Sequence, residues 1–282
     1  MGSSPSAHHS DSGVKYNHIY VTRTQSKTPP SVRGATRQVL GPGEIDVGRY
    51  RIKLDDNIGS GMFGSVCQAH RIDSGEPIAA KGILVGDRWS QNDYLKAMAM
   101  EEGARMKRCS HENIAKLYDY CEHGNKVWLF MEFCNLGDLN HYLDGNPEME
   151  FSEKLTIMNE TSLAVSYLHD NHIVHRDIKP DNILMKSVSN KPVVKLGDFG
   201  YAKIYDYTLS QPTFSTKINR STAGTPAFWA PEFFLQRDDL GYTASVDIFS
   251  LGLIFAMIYY YGPTNKSTFP ISRKNYFCYF RK

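Results

Sequence analysis

From residue 50 onward the order of apolar and polar positions predicts strands first and helices afterwards. Residues 50–58 alternate imperfectly, the period-two sign of a half-buried strand. A second strand runs to residue 71 and a third covers 77–83. The turn formers Asp73, Ser74, Gly75 and Glu76 separate them. Residues 91–108 are rich in Ala, Met, Leu, Lys and Glu, which predicts a helix. Two more strands are expected at 115–120 and 127–131, and a short helix at 139–143. Residues 152–171 form a strong amphipathic helix, with Ser152 as its N-cap and Leu155, Met158, Leu163, Val165 and Leu168 on its apolar face. Residues 193–196 read as a short strand. The apolar run 251–261 is too short to cross a bilayer and predicts a helix buried all round. Residues 1–48 are rich in Ser, Thr, Gly and Pro without apolar periodicity, and predict a mostly disordered tail.

Composition narrows the picture only a little. A chain of 282 residues can hold one large domain or two lobes. Its net charge of +2 provides no strong field for nucleic acid or membrane. The 5 cysteines are odd in number, form no C-x-x-C pair and fit a reducing interior better than a disulfide framework. No secretory signal opens the chain. Met1 to Ser6 fit a loose acylation pattern at Gly2, and one acyl chain holds a membrane only marginally, so no membrane partner is expected.

The candidate chemistry lies in a polar run between two apolar pairs. His175, Arg176, Asp177, Ile178, Lys179, Pro180, Asp181 and Asn182 follow Ile173-Val174 and precede Ile183-Leu184. This layout suits a loop between a helix and a strand, with side chains aimed into a cleft. Asp177 can accept a proton from a hydroxyl, Lys179 can neutralise phosphate charge, and Asn182 can give an oxygen to Mg²⁺. Upstream, Gly59, Ser60, Gly61 and Gly64 form a G-x-G-x-x-G run, whose backbone N–H groups can approach phosphate oxygens without Cβ interference. In dinucleotide folds that run opens a helix; here residues 65–69 continue as a strand.

The run from His175 to Asn182 resembles the catalytic loop of eukaryotic protein kinases, H-R-D-x-K-x-x-N, at every fixed position. The other family motifs follow in order: the glycine run completed by Val66, Ile-Ala-Ala-Lys ending at Lys81, Asp198-Phe199-Gly200, and Ala230-Pro231-Glu232. The resemblance implies an α+β, two-lobe kinase fold: a five-stranded N-lobe with one helix (49–131), a hinge (132–135) and a mostly helical C-lobe (136–262). That C-lobe would be truncated after its long central helix and followed by a basic, aromatic tail (263–282), leaving apolar surface exposed under the helix.

The same resemblance implies residue roles. Lys81 would contact the α- and β-phosphates of ATP and pair with a helix glutamate. Glu101 and Glu102 both compete for it, and the distance to the His111-Glu112-Asn113-Ile114 turn favours Glu102. Asp198, with Asn182, would hold Mg²⁺. Besides the glycine run, Val66, Ala79, Met131, Glu132, Cys134, Asp138 and Leu184 would bind the nucleotide, although Asp138 reads equally well as a helix cap. Ser221 and Thr222 are expected phosphorylation sites, with Arg176 gripping the phosphate. Lys179 and the Gly224-Thr225-Pro226 loop point to Ser/Thr substrates, and Asp181 and Asp138 hint at basic residues near the target site. Local sequence around 130–140 and 241–249 looks most like the kinases that bind PDZ-and-LIM actin-associated proteins, which implies a cytoplasmic or nuclear setting. The rival expectation is a nucleotide-binding scaffold, or an inactive isoform acting through protein contacts.

Overall fold

A computed structural model describes residues 40–61, 64–85, 93–204, 225–233 and 243–262. Strands β1 (Glu44–Val47), β2 (Tyr50–Gly61), β3 (Gly64–Arg71) and β4 (Pro77–Leu84) precede helix α1 (Asp93–Arg108), and β5 (Leu117–His123) and β6 (Lys126–Glu132) follow it. They form a 6-stranded sheet in the order β1-β2-β3-β4-β6-β5, antiparallel at every pairing. The sixth strand, β1, lies inside the segment expected to be a tail. Only Ile45 and Val47 alternate there, too few to give a periodic signal. Its register against β2, Val47 opposite Tyr50, is held by Arg51, whose Nε and Nη2 donate to the two oxygens of Asp46 at 2.8 and 3.1 Å.

Side chains of paired residues share a sheet face, and successive residues alternate. Ile78 and Ala80 of β4 therefore join Trp128 and Phe130 of β6, Tyr50, Ile52, Cys67 and Ala69 in one apolar layer. Ala79, Lys81 and Ile83 project to the other side, where α1 packs. On α1, Ala99, Glu102 and Met106 recur at helical spacing and are buried, while Glu101 is exposed and pairs with Arg105. Gly103 sits where the helix meets β5: a Cβ there would lie 2.6 Å from the Tyr120 ring.

Beyond the sheet come α2 (Leu139–Gly145), α3 (Phe151–Asp170), β7 (Ile173–Val174), a hairpin of β8 (Ile183–Val188) with β9 (Lys191–Leu196), β10 (Lys203–Ile204) and α4 (Ser245–Tyr260). α3 departs from expectation at two points. Its N-cap position is Glu150, so Ser152 lies inside the first turn. Its buried face is Ile157, Thr161, Ala164, Val165 and Leu168, while Leu155 and Leu163 are exposed. Apolar residues occur all round this helix, so periodicity alone cannot choose the face that meets α4 and β9. α4 buries Val246, Asp247, Ser250, Leu251, Ile254 and Ile258, but Ile248, Tyr259 and Tyr260 are exposed, so it is not buried all round. Among the described residues no helix is long and apolar enough to cross a membrane.

Candidate active site

The β4 alternation that buries Ile78 and Ala80 turns Lys81 into the gap between the sheet and the helical part. Its Nζ donates to Glu102 Oε1 and to Asp198 Oδ1, both at 2.8 Å. Lys81 and Glu102 are only 5% and 2% exposed, so these charges survive by pairing. Burial alone would lower the Lys81 pKa, but the charges of Asp198 and Glu102 outweigh it and keep the ammonium above its ordinary value. Burial works against Asp198 too, and Lys81 overrides it, holding this carboxyl below the usual carboxylate range. Glu102 shares its cation with Asp198, and burial pushes its pKa up.

The polar run lies between β7 and β8, with a short 3₁₀ turn over Pro180–Asn182. It is held from below by α4. Asp247, fully buried, accepts the backbone N–H of His175 and that of Arg176, both at 2.8 Å, and faces His169 Nε2 at 2.9 Å. These bonds stabilise Arg176 at a φ of 65°, a left-handed conformation costly for a side chain of its size. His175 Nε2 lies 3.0 Å from the Gly197 carbonyl, and its Nδ1 accepts the Asp177 N–H at 3.3 Å. Its ring meets the fully buried Phe199 edge-on at 5.4 Å.

The Asp177 carboxylate is oriented by several donors. Oδ2 faces Lys179 Nζ at 3.0 Å and accepts Asn182 Nδ2 at 3.0 Å. Oδ1 accepts the Thr225 N–H at 2.9 Å, and Lys179 Nζ also donates to Thr225 Oγ1 at 2.9 Å. Sequence reasoning placed Thr225 in a docking loop and missed this contact with Asp177; only the return of a segment 48 residues downstream reveals it. Gly197 N donates to the Asn182 carbonyl at 2.9 Å. The residues therefore fall into two side-chain clusters, Glu102–Lys81–Asp198 and Asn182–Asp177–Lys179–Thr225, joined through the backbone by the bond between Gly197, next to Asp198, and Asn182.

Asn182 and Asp198 carry the oxygens that suit a cation. Asn182 commits Nδ2 to Asp177, so its Oδ1 is the amide group left for a metal. Asp198 adds a carboxylate. Among the described residues no group of three or more His, Cys, Asp or Glu has metal-holding placement. One carboxylate and one amide suit Mg²⁺, which takes few protein ligands and completes its shell with water and phosphate oxygens.

The remaining nucleotide candidates divide. Register places Val66 opposite Lys81 and Ala79 opposite Met131, so all four share the inward face. Leu184 lies on β8, its Cδ1 3.2 Å from where a Cβ on Gly197 would sit. Gly59 N donates to Asn57 Oδ1 at 3.1 Å, and Gly61 pairs with Gly64. Ser60 lies opposite Ser65 in that ladder. Cys134 holds a neutral thiol, its pKa pushed up to about 12 by burial and then by Glu132. Two of these residues already have partners, and of the two readings of Asp138 the helix cap is the one seen. Glu132 is the last residue of β6, its N–H donates to the Lys116 carbonyl at 2.9 Å, and its side chain is buried among lysines, so only its carbonyl remains for a ligand. Asp138 caps α2, accepting the His141 N–H at 2.9 Å. Arg176 Nε donates to the Tyr201 carbonyl at 2.6 Å. Ser221 and Thr222 lie outside the described residues.

Comparison with known proteins shows the family. A family model of the protein kinase domain matches residues 52–275. The serine/threonine-protein kinase atg1 of Dictyostelium discoideum is 32% identical over 204 residues, covering 71% of this chain and 29% of the relative. The ovarian-specific serine/threonine-protein kinase Lok of Drosophila melanogaster is 30% identical, covering 76% of this chain and 43% of its own. The calcium/calmodulin-dependent protein kinase cmkB of Emericella nidulans is 32% identical, covering 77% and 52%. The chain thus spans about a third to a half of the length of these relatives.

Proposed function

Because this chain belongs to the protein kinase family, we propose that it transfers the γ-phosphoryl group of ATP to serine or threonine hydroxyls of protein substrates. The observation that carries the reading is the pair of clusters Glu102–Lys81–Asp198 and Asn182–Asp177–Lys179–Thr225, joined by the Gly197 N–H bond to the Asn182 carbonyl. In this reading Lys81 holds the α- and β-phosphates, with Glu102 fixing its position. Asp177 orients the acceptor hydroxyl and takes its proton. Lys179 screens the charge of the group in transit and, through Thr225, ties the base to the loop that receives the substrate. Asn182 Oδ1 and Asp198 would hold Mg²⁺, which when bound neutralises phosphate charge. Val66, Ala79, Met131, Leu184, the Cys134 backbone and the Glu132 carbonyl would enclose the base of the nucleotide. The kinase unit is taken as residues 49–262, with β1 added at its start, acting in a cytoplasmic or nuclear setting. Relatives from several Ser/Thr kinase groups support the family without selecting a subgroup.

The test is transfer of labelled γ-phosphate to a Ser/Thr peptide library, with ATP-dependent thermal shift measured in parallel. Asp177→Asn should keep the shift and lose about 10²–10⁴-fold in rate. Lys81→Met should lose both. A wild-type protein that shows the shift but transfers nothing would be a nucleotide-binding scaffold instead. Mapping the phosphate by mass spectrometry then tests Ser221, with Thr222 second, as the site Arg176 grips.

A further inference from the structure

The buried carboxylate of Glu132 has a placement that the phosphoryl-transfer reading leaves unused. Glu132 ends β6 and touches two segments: residues 113–116, which join α1 to β5 and bond to Leu196 of β9, and residues 132–137, where the chain leaves the sheet. Its N–H donates to the Lys116 carbonyl at 2.9 Å, and its Oε2 accepts the Lys116 N–H at 3.2 Å. Its Oε1 faces Lys186 Nζ on β8 at 2.7 Å and Lys195 Nζ on β9 at 3.2 Å. The side chain is 8% exposed, those of Lys186 and Lys195 29% and 12%.

Both lysines stand on one face of the hairpin, because Leu184 pairs with Lys195 and Lys186 follows Leu184 by two residues. Without an anion between them they repel. That same face carries Leu184, which the ATP reading assigns to the wall around the nucleotide base. The backbone joins the same parts: Leu136 N donates to Met185 O at 3.0 Å, Met185 N to Gly137 O at 2.8 Å, and Ser187 N to Asn135 Oδ1 at 3.0 Å. Burial alone would raise the Glu132 pKa, but the Lys186 bond, the Lys116 N–H and the Lys195 charge outweigh it and keep the carboxyl below its ordinary value. A buried ion pair contributes little net stability compared with apolar packing, but it defines a geometry sharply.

We infer that Glu132 is a positioning residue for nucleotide binding: it clamps the β8–β9 hairpin, through Lys186 and Lys195, to the segments at Lys116 and at the end of β6, and so fixes the distance of Leu184 from the sheet residues Ala79 and Met131 that the ATP reading sets around the base. The inference rests on the ATP reading above. It assigns Glu132 an effect on nucleotide affinity, separate from the groups that act on the transferring phosphoryl. Loosening the clamp widens the adenine slot while leaving the Asp177 cluster in place.

Steady-state kinetics of the full chain separate the possibilities. Glu132→Gln should raise KM for ATP about tenfold, leave kcat within about twofold, and leave KM for the peptide unchanged. Glu132→Asp should recover part of the loss. Lys186→Met with Lys195→Met should raise KM for ATP on its own, and adding Glu132→Gln to that pair should cost little more, since the three act as one unit. The lysine pair keeps the question open should Glu132→Gln not fold. An unchanged or lower KM for ATP, additive effects, or equal losses in kcat and both KM values would overturn the inference while wild-type transfer keeps the kinase reading. A wild type that binds no ATP would take down both.

Discussion

At the scale of single residues, the decisive feature is one ammonium shared by two carboxylates in different states. Lys81 holds Asp198 below the ordinary aspartate value of 3.8 against burial, and burial raises Glu102 above the ordinary glutamate value of 4.5, so acidification protonates Glu102 first. In that window Lys81 loses Glu102 while Asp198 is still charged. A raised carboxyl pKa means the folded state binds the proton more tightly than the unfolded chain, so this titration weakens positioning without weakening the fold. The Asp198 contribution to stability is fully present above 3.8 and is lost only as pH falls through its lower folded value. The pH–rate profile should therefore show an acid limb with its midpoint above 4.5 that precedes loss of thermal stability. Glu102→Gln should be slower at neutral pH and should lack that limb. A limb that persists unchanged in Glu102→Gln would assign the titration to another group. Lys81 and Glu102 were legible because the family motifs that the sequence resembles mark the strand lysine and, from the His111–Ile114 turn, favour Glu102 over Glu101. Glu132 and Thr225 were not, because their partners lie 54 and 48 residues away in the chain.

At the scale of elements, the glycine-rich turn combines two demands that can be pulled apart. A Cβ on Gly64 would lie 2.1 Å from the Gly82 carbonyl oxygen, a backbone atom that cannot move aside cheaply. A Cβ on Gly59 would meet only Val66, at an ordinary 3.8 Å. Gly64→Ala should accordingly destabilise the fold by about 1–3 kcal/mol, whereas Gly59→Ala should cost less than about 1 kcal/mol. Thermal or urea denaturation of the two variants checks this; equal losses would mean that the β3–β4 approach is not what demands glycine. Element type was the most legible level of the sequence: among the described residues, β2 to β6 and the four α-helices were all expected, from alternation, helix-forming composition or apolar runs. Element faces were less so. Leu155 and Leu163 look like core because they are leucines, yet the neighbours α4 and β9 fix which side of α3 is buried. β1 was missed because a four-residue strand has too few positions to repeat. Its evidence is the Arg51–Asp46 pair, visible only after folding.

At the scale of the whole molecule, the helical part serves as a foundation for the loop that carries the chemistry, and α4 reaches that loop through one carboxylate. Asp247 is 71–78 residues from its partners in sequence and accepts from His175 N and Arg176 N while facing His169. Removing it leaves buried donors without an acceptor, a loss of about 3–5 kcal/mol. Against a total stability of about 5–15 kcal/mol, Asp247→Ala should lower the melting temperature sharply. Asp247→Asn keeps one acceptor oxygen and the same shape, so it should fold, but its amide cannot accept both backbone N–H groups, and the loop should shift. Nucleotide contacts would be spared, because Lys81, Ala79 and Met131 belong to the sheet. Asp247→Asn should therefore bind ATP with near-normal affinity while its transfer rate falls by about tenfold or more. Direct titration with a fluorescent ATP analogue, set beside peptide phosphorylation rates, measures the two effects separately. A parallel fall in both would mean that α4 supports the two halves of the site as a single rigid body rather than the catalytic loop alone.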